Sequence, residues 1–234
     1  MSDITSGLVE AWRLLVAMDP EVWRIILLSL RVSLIATGVA LLIGVPVGTL
    51  LAMTRFPGHT LAVGGVYAGM GLPPIVAGLI VSVMLWRNGP FGALGLLYTP
   101  TAMIIAQAVI ATPVVAALSF SALHALDPRF RLQLIALGAN RVQTAWWLLR
   151  EARLPLIAAV VAGFGAVISE VGAAMMVGGN IKGETRVLTT ATVLEVSRGH
   201  FDVAFALSIM LLIITYLVVF LLSLLQRQPQ PVRG

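Results

Sequence analysis

Long apolar runs separated by shorter polar stretches set the character of this chain. Crossing the hydrocarbon of a bilayer as a helix takes about twenty apolar residues, because every backbone polar group must be satisfied within the segment. Five stretches meet that requirement, at 25–53, 61–86, 100–123, 154–177 and 203–225, with Arg31 interrupting the first near one end. The pattern predicts an all-α polytopic membrane protein with one transmembrane domain over 25–226. The longest polar interruption, 124–153, lies between the third and fourth runs. Between the last two runs, 178–202 is too polar to cross, although 187–196 is apolar enough for a short helix at the far interface.

Composition agrees with this pattern. With 59% hydrophobic and 11% charged residues among 234, the chain has too little polar surface to coat a soluble globule. The net charge of +5 comes from basic residues spread between apolar spans. They follow the orientation rule for membrane proteins, and no basic-aromatic module for nucleic acid accompanies them. There are no cysteines, which excludes disulfides and thiolate chemistry. Segment 1–24 carries Asp3, Glu10, Asp19 and Glu21 and lacks the marks of a cleavable signal peptide. Leu8, Trp12, Leu15 and Val16 recur at helical spacing, so 5–18 reads either as an interfacial amphipathic helix or as a solvated tail packed on the first span. Segment 227–234 reads as a cytoplasmic tail.

Lys and Arg in alternating loops set orientation. Arg129, Arg131, Arg141, Arg150 and Arg153 all sit in 124–153, close to span ends. That loop is therefore placed in the cytoplasm, with the N-terminus outside and the C-terminus inside. Gly44 with Gly48, and Gly65 with Gly69, have the small-xxx-small spacing that lets helix backbones approach in lipid. Pro46 and the Pro73-Pro74 pair predict a bend or interruption, read either as a packing kink or as backbone opened toward a cavity.

The 124–153 segment predicts a polar helical hairpin. Asp127 and Pro128 can open a short helix over 129–137, Gly138 supplies a sharp turn, and a second helix over 141–153 leads into Leu154-Pro155. Such a hairpin suits docking by a soluble partner, or an interfacial anchor with snorkelling arginines. It resembles the EAA loop of bacterial ABC-importer permeases, whose coupling helix seats in a groove of the ATP-hydrolysing subunit. The resemblance implies docking by Arg129, Arg131, Leu132, Gln133, Leu134, Gly138 and Arg141. Leu132, Gln133 and Leu134 stand where the family has Glu-Ala-Ala, and Gly138 lies about one helical turn farther than usual from Leu154-Pro155.

The later stretch SEVGAAMMVGGNIKGETRVLTT, within 164–190, closely resembles the permeases of tungstate-specific ABC importers, relatives of the molybdate permeases. Membership implies a type I importer permease fold in a bacterial or archaeal inner membrane, with about five transmembrane helices per protomer. It also implies a second permease copy, two ATPase subunits that handle ATP, and an extracytoplasmic binding protein that delivers an oxyanion. This chain would bind no cofactor and perform no chemistry. Its lipid contacts follow from the spans, and no nucleic-acid partner is expected.

Individual residues can be weighed physically. Glu170 is a carboxylate expected at membrane depth, where it is costly and faces protein or a water-filled cavity. Since like charge repels a translocating anion, a structural or gating role fits better than ligand contact. Related permeases often carry an arginine one turn earlier; Ala166 stands there, so a partner must come from another span, a second protomer or a backbone amide. Gly178, Gly179, Asn180, Lys182 and Arg186 read either as an anion-attracting vestibule of exposed amides and cations or as a solvated loop. His59, His124 and His200 have no helix-spaced ligand partner, and no nucleotide-binding Gly-rich Lys-Ser/Thr loop exists. An ATP-independent channel or secondary transporter would show charge pairs or inverted halves, and an intramembrane enzyme would need a second catalytic group beside Glu170. Among oxyanions, molybdate and sulfate remain alternatives to tungstate.

Overall fold

The computed structural model describes residues 19–224, which form ten α-helices and one 3-10 turn, with no strand among the described residues. The helix proposed for 5–18 and the tail at 227–234 lie outside the described residues. The helices are α1 (Pro20–Met53), α2 (His59–Met70), α3 (Pro74–Leu85), α4 (Pro100–His124), α5 (Pro128–Ala136), α6 (Arg141–Glu151), α7 (Arg153–Ile168), α8 (Gly172–Gly178), α9 (Leu188–Ser197) and α10 (Phe201–Leu224).

α1 starts at Pro20, ahead of its apolar run, because Asp19 caps it. The Asp19 carboxylate accepts from the amides of Glu21 and Val22 at 2.9 and 3.1 Å, and Pro20 needs no amide partner at the first position. Residues 20–24 are therefore the first turn of the same helix that carries the first apolar run. At 34 residues α1 is about 50 Å long, well beyond the hydrocarbon thickness. α4 and α10 match the third and fifth runs closely and are also long and apolar enough to cross.

Two expected spans are broken. The second run becomes α2 and α3, bent by 101°, because Pro73 and Pro74 cannot continue the amide ladder. The fourth run becomes α7 and α8, interrupted at 169–171. The hydroxyl of Ser169 donates to the Gly165 carbonyl at 2.7 Å, the same kind of bond that Ser29 and Thr37 make inside the unbroken α1, and the restart of α8 is marked instead by the Glu170 carboxylate, which accepts from the Ala173 amide.

α1 and α4 pack most extensively, through small residues. A Cβ at Gly44 would lie 2.9 Å from the Thr112 carbonyl oxygen, and one at Gly48 would lie 2.5 Å from that of Ala116. Where lipid supplies no hydrophobic drive, such approach gains dispersion contacts along the whole interface. Within the chain, Gly69 packs against Pro113, while Gly65 meets nothing within 4 Å. The core is correspondingly alanine-rich. Ala36, Ala40, Ala111, Val115 and Val167 form one cluster, and Ala77, Ala102, Met103, Ala106, Ala173 and Val177 belong to a second.

Candidate functional site

At one end of α1 lies the hairpin α5–Gly138–α6. Asp127 opens α5 by accepting from the Arg129 amide at 2.8 Å. Gly138 takes φ +82°, a left-handed conformation costly for any residue with a Cβ, and lets the chain reverse. Asn140 and Gln143 then form a reciprocal capping box, each side chain 2.9 Å from the other's backbone amide. Phe130 packs with Met53, Leu123, Leu126 and Leu148, which fixes the hairpin to the ends of α1 and α4.

The expected docking residues share this hairpin but not one environment. Arg129, Leu132, Gln133, Gly138 and Arg141 are exposed, and Leu134 is half-buried. Leu132 and Leu137 are 65% and 84% exposed, so α5 and its turn carry an uncovered apolar edge. Arg131 differs: its guanidinium donates to the Met53 carbonyl at 2.7 Å, satisfying the C-terminus of α1. It ties hairpin to span, and no spacing rule could reveal a contact across 78 residues.

At the opposite end of α1, the loop after α8 folds back on the first helical turn. Lys182 pairs with Glu21 at 2.7 Å, and Arg186 lies 3.7 Å from the same carboxylate. Arg24, Lys182 and Arg186 line an open pocket of about 420 Å³ with Glu21 as its carboxylate. A Cβ at Gly183, which has φ +81°, would lie 3.2 Å from the Arg24 guanidinium. Glu21 and Arg24 do not stand out in the sequence, since near the chain start they read as ordinary orientation charges.

The glycines and Asn180 of this loop are structural more than they are open donors. Gly178 is buried: a Cβ there would fall 2.9 Å from the Met103 sulfur, and its carbonyl accepts from Thr185. Gly179, at φ +70°, ends α8 against the Tyr98 ring, and its amide is spent on the Met175 carbonyl. Asn180 donates to the Thr190 carbonyl at 3.3 Å and accepts from Arg186 at 3.3 Å. The cations and the glycines thus separate: Lys182 and Arg186 reach the pocket, whereas Gly178 and Gly179 shape the loop behind it.

Glu170 sits in the break between α7 and α8. Of the three partners left open by its sequence, the structure supplies a backbone amide: that of Ala173 donates to the carboxylate at 2.9 Å. The carboxylate thereby satisfies an orphan donor at the start of α8, where negative charge is favoured. Thr189, on α9, donates to the Glu170 carbonyl at 3.0 Å and links the break to the following helix. α8 is held from the other side by α3. Ser82 donates to the Met176 carbonyl at 3.2 Å, and a Cβ at Gly78 would fall 2.6 Å from the Ala173 Cα.

Comparison with known proteins agrees with this layout. Residues 44–231 match the binding-protein-dependent transport system inner membrane component family. The chain is 40% identical over 216 residues to a tungstate uptake system permease protein of Peptoclostridium acidaminophilum, covering 92% of this chain and 95% of that one. It is 36% identical over 189 residues to a probable anion ABC transporter permease protein of Haloferax volcanii, covering 79% and 82%. A molybdenum transport system permease protein of Escherichia coli is 29% identical over 185 residues, covering 76% and 80%. Among solved structures, a chain of the MetNI methionine ABC transporter superposes with a TM-score of 0.71 at 22% identity, covering 92% of this chain and 97% of that one. With long apolar helices, a polar helical hairpin at one end of α1 and a cation-lined loop at the other, this chain belongs to the family of binding-protein-dependent transport system inner membrane components.

Proposed function

We propose that this chain is the permease subunit of an ATP-driven importer for a tetrahedral oxyanion, most specifically tungstate. The observation that carries the proposal is the separation of two unlike surfaces by α1. The hairpin meets its C-terminal end through Arg131, and the Arg24, Lys182 and Arg186 pocket meets its N-terminal end through Glu21. Two copies of the chain would enclose the pathway. The hairpins would seat on two ATPase subunits in the cytoplasm, and the opposite face would receive an extracytoplasmic binding protein. The N-terminus is then outside and the C-terminus inside.

In that arrangement the chain binds no cofactor and leaves ATP to its partners. The three cations raise the local concentration of a dianion, while Glu21 offsets part of their charge and keeps the site from holding it too firmly to release. Glu170 caps α8 and so sets the shape of the break, and carries no substrate contact. The 40% identity to a tungstate uptake permease supports the choice of tungstate over molybdate or sulfate.

Uptake into vesicles holding the permease, its ATPase and its binding protein tests the proposal. Tungstate accumulation that requires ATP and all three components is expected. Uptake by this chain alone, without the ATPase, would refute the importer mechanism. A partner binding protein that prefers sulfate to tungstate would refute the substrate.

A further inference from the structure

The second helix of the hairpin has a face that neither the fold nor α5 uses. α6 turns Thr144 and Leu148 inward, with Leu148 packed among Ala122, Leu123 and Ala152. On the other side Val142 and Trp146 are 78% and 65% exposed, and Trp147 stands beside them at 43%. Two tryptophans left in water are costly, so this face has an occupant. The axis of α6 is bent 75° from that of α7. A helix so inclined to a membrane-crossing neighbour runs close to the membrane plane, at the depth where tryptophan is enriched.

Charge on the same helix identifies the occupant. The Arg150 guanidinium lies 5.1 Å from the centre of the Trp147 ring, a cation-π pair that holds both groups on the exposed side. Arg141 and Arg153 are exposed at the two ends of α6, and Glu151 is the one acid among its residues. An apolar stripe with indole rings and an arginine border complements acyl chains below and anionic headgroups above. We propose that α6 is an interfacial helix that binds the anionic phospholipids of its own leaflet through Trp146, Trp147 and Arg150, leaving ATPase docking to α5 and its turn. This rests on the cytoplasmic placement of the hairpin given above.

The test uses the permease–ATPase complex in vesicles of phosphatidylcholine and phosphatidylglycerol, with Trp12, Trp23 and Trp86 replaced by Phe and every tryptophan of the ATPase likewise replaced, so that emission reports Trp146 and Trp147. Lipids brominated high on the acyl chain should quench that emission, as expected of indoles at the interface, with the ATPase bound or stripped. Arg150→Gln should reduce the preference for phosphatidylglycerol as quencher carrier by about fivefold. Absence of quenching overturns the proposal. Quenching that appears only after the ATPase is stripped also overturns it and assigns the face to that subunit. Quenching that appears only on dilution of the protein in lipid overturns it in favour of a second copy. ATP-driven tungstate uptake by the same vesicles is scored separately, so failure of the import reading leaves the lipid result interpretable.

Discussion

Replacing Glu170 by Ala removes the one side chain that satisfies the start of α8. The lost bond is the Ala173 amide to the Glu170 carboxylate at 2.9 Å. α8 has only seven residues, too few to stand by propensity, so its stability comes from this cap and from packing of Ala173, Ala174 and Val177. The packing remains in the variant. The loss is therefore that of a helix cap, about 1–2 kcal/mol, which raises local opening by about 5- to 30-fold. Hydrogen exchange of the amides of 173–178 measures that opening, and α4 and α10 should keep wild-type protection. Glu170→Gln retains an acceptor oxygen and should recover most of the protection. If Glu170→Ala leaves exchange in α8 unchanged, the capping role is wrong. If Glu170→Gln behaves as badly as Ala, the negative charge matters and not the hydrogen bond alone.

Three further outcomes follow from contacts elsewhere. Gly48→Ala drives a methyl to 2.5 Å from the Ala116 carbonyl and should cost about 1–3 kcal/mol in thermal or denaturant stability. Gly38→Ala, which meets nothing within 4 Å, should be neutral or mildly stabilising, and equal effects at the two sites would refute the close α1–α4 packing. Gly138→Ile forces a β-branched residue to φ +82°, a strain of about 1–3 kcal/mol, and should uncouple ATP hydrolysis from uptake without preventing membrane insertion; normal coupling would count against hairpin docking. Burial of Glu195 works against its charged form, but hydrogen bonds from His200 and Arg198 outweigh that and hold its carboxyl below the usual range. Its contribution is then fully present above the unfolded carboxylate value of about 4.3 and is lost as pH falls through the lower folded value. Hydrogen exchange at the α9–α10 turn should rise below that range in the wild type and show no such step in Glu195→Gln.

The parts of the fold set by local chemistry were legible in the sequence. α4 and α10 follow their apolar runs, Asp127 and Gly138 punctuate the hairpin where turn chemistry requires, and Pro73-Pro74 marks the bend between α2 and α3. The break at 169–171 was hidden, because a run with one acid and its only proline far away at Pro155 reads as a continuous span until the Glu170 cap is seen. Long-range pairings were equally invisible. Arg131 finds Met53, and Lys182 finds Glu21, across separations that no periodicity encodes. Gly178 shows a further long-range effect: its two readings were a vestibule of exposed amides or a solvated loop, and the residue is buried, with Met103 occupying the space of a side chain.

The unbroken length of α1 has a mechanical consequence. Pro46 does not interrupt α1, and its N-terminal turn is tied through Glu21 to Lys182 and its C-terminal carbonyl through Met53 to Arg131, so one continuous helix links the cation-lined loop to the hairpin. About a pivot between Gly44 and Gly48 the two arms are about 39 and about 10 Å long, so a rocking of about 10° swings the N-terminal end by about 7 Å and the C-terminal end by about 2 Å in opposite directions. Gly44 and Gly48, where the helix lies flush on α4, are suited to serve as the fulcrum. A push delivered to the hairpin would reach the cation-lined mouth as a lever stroke, with no relay of side chains between them.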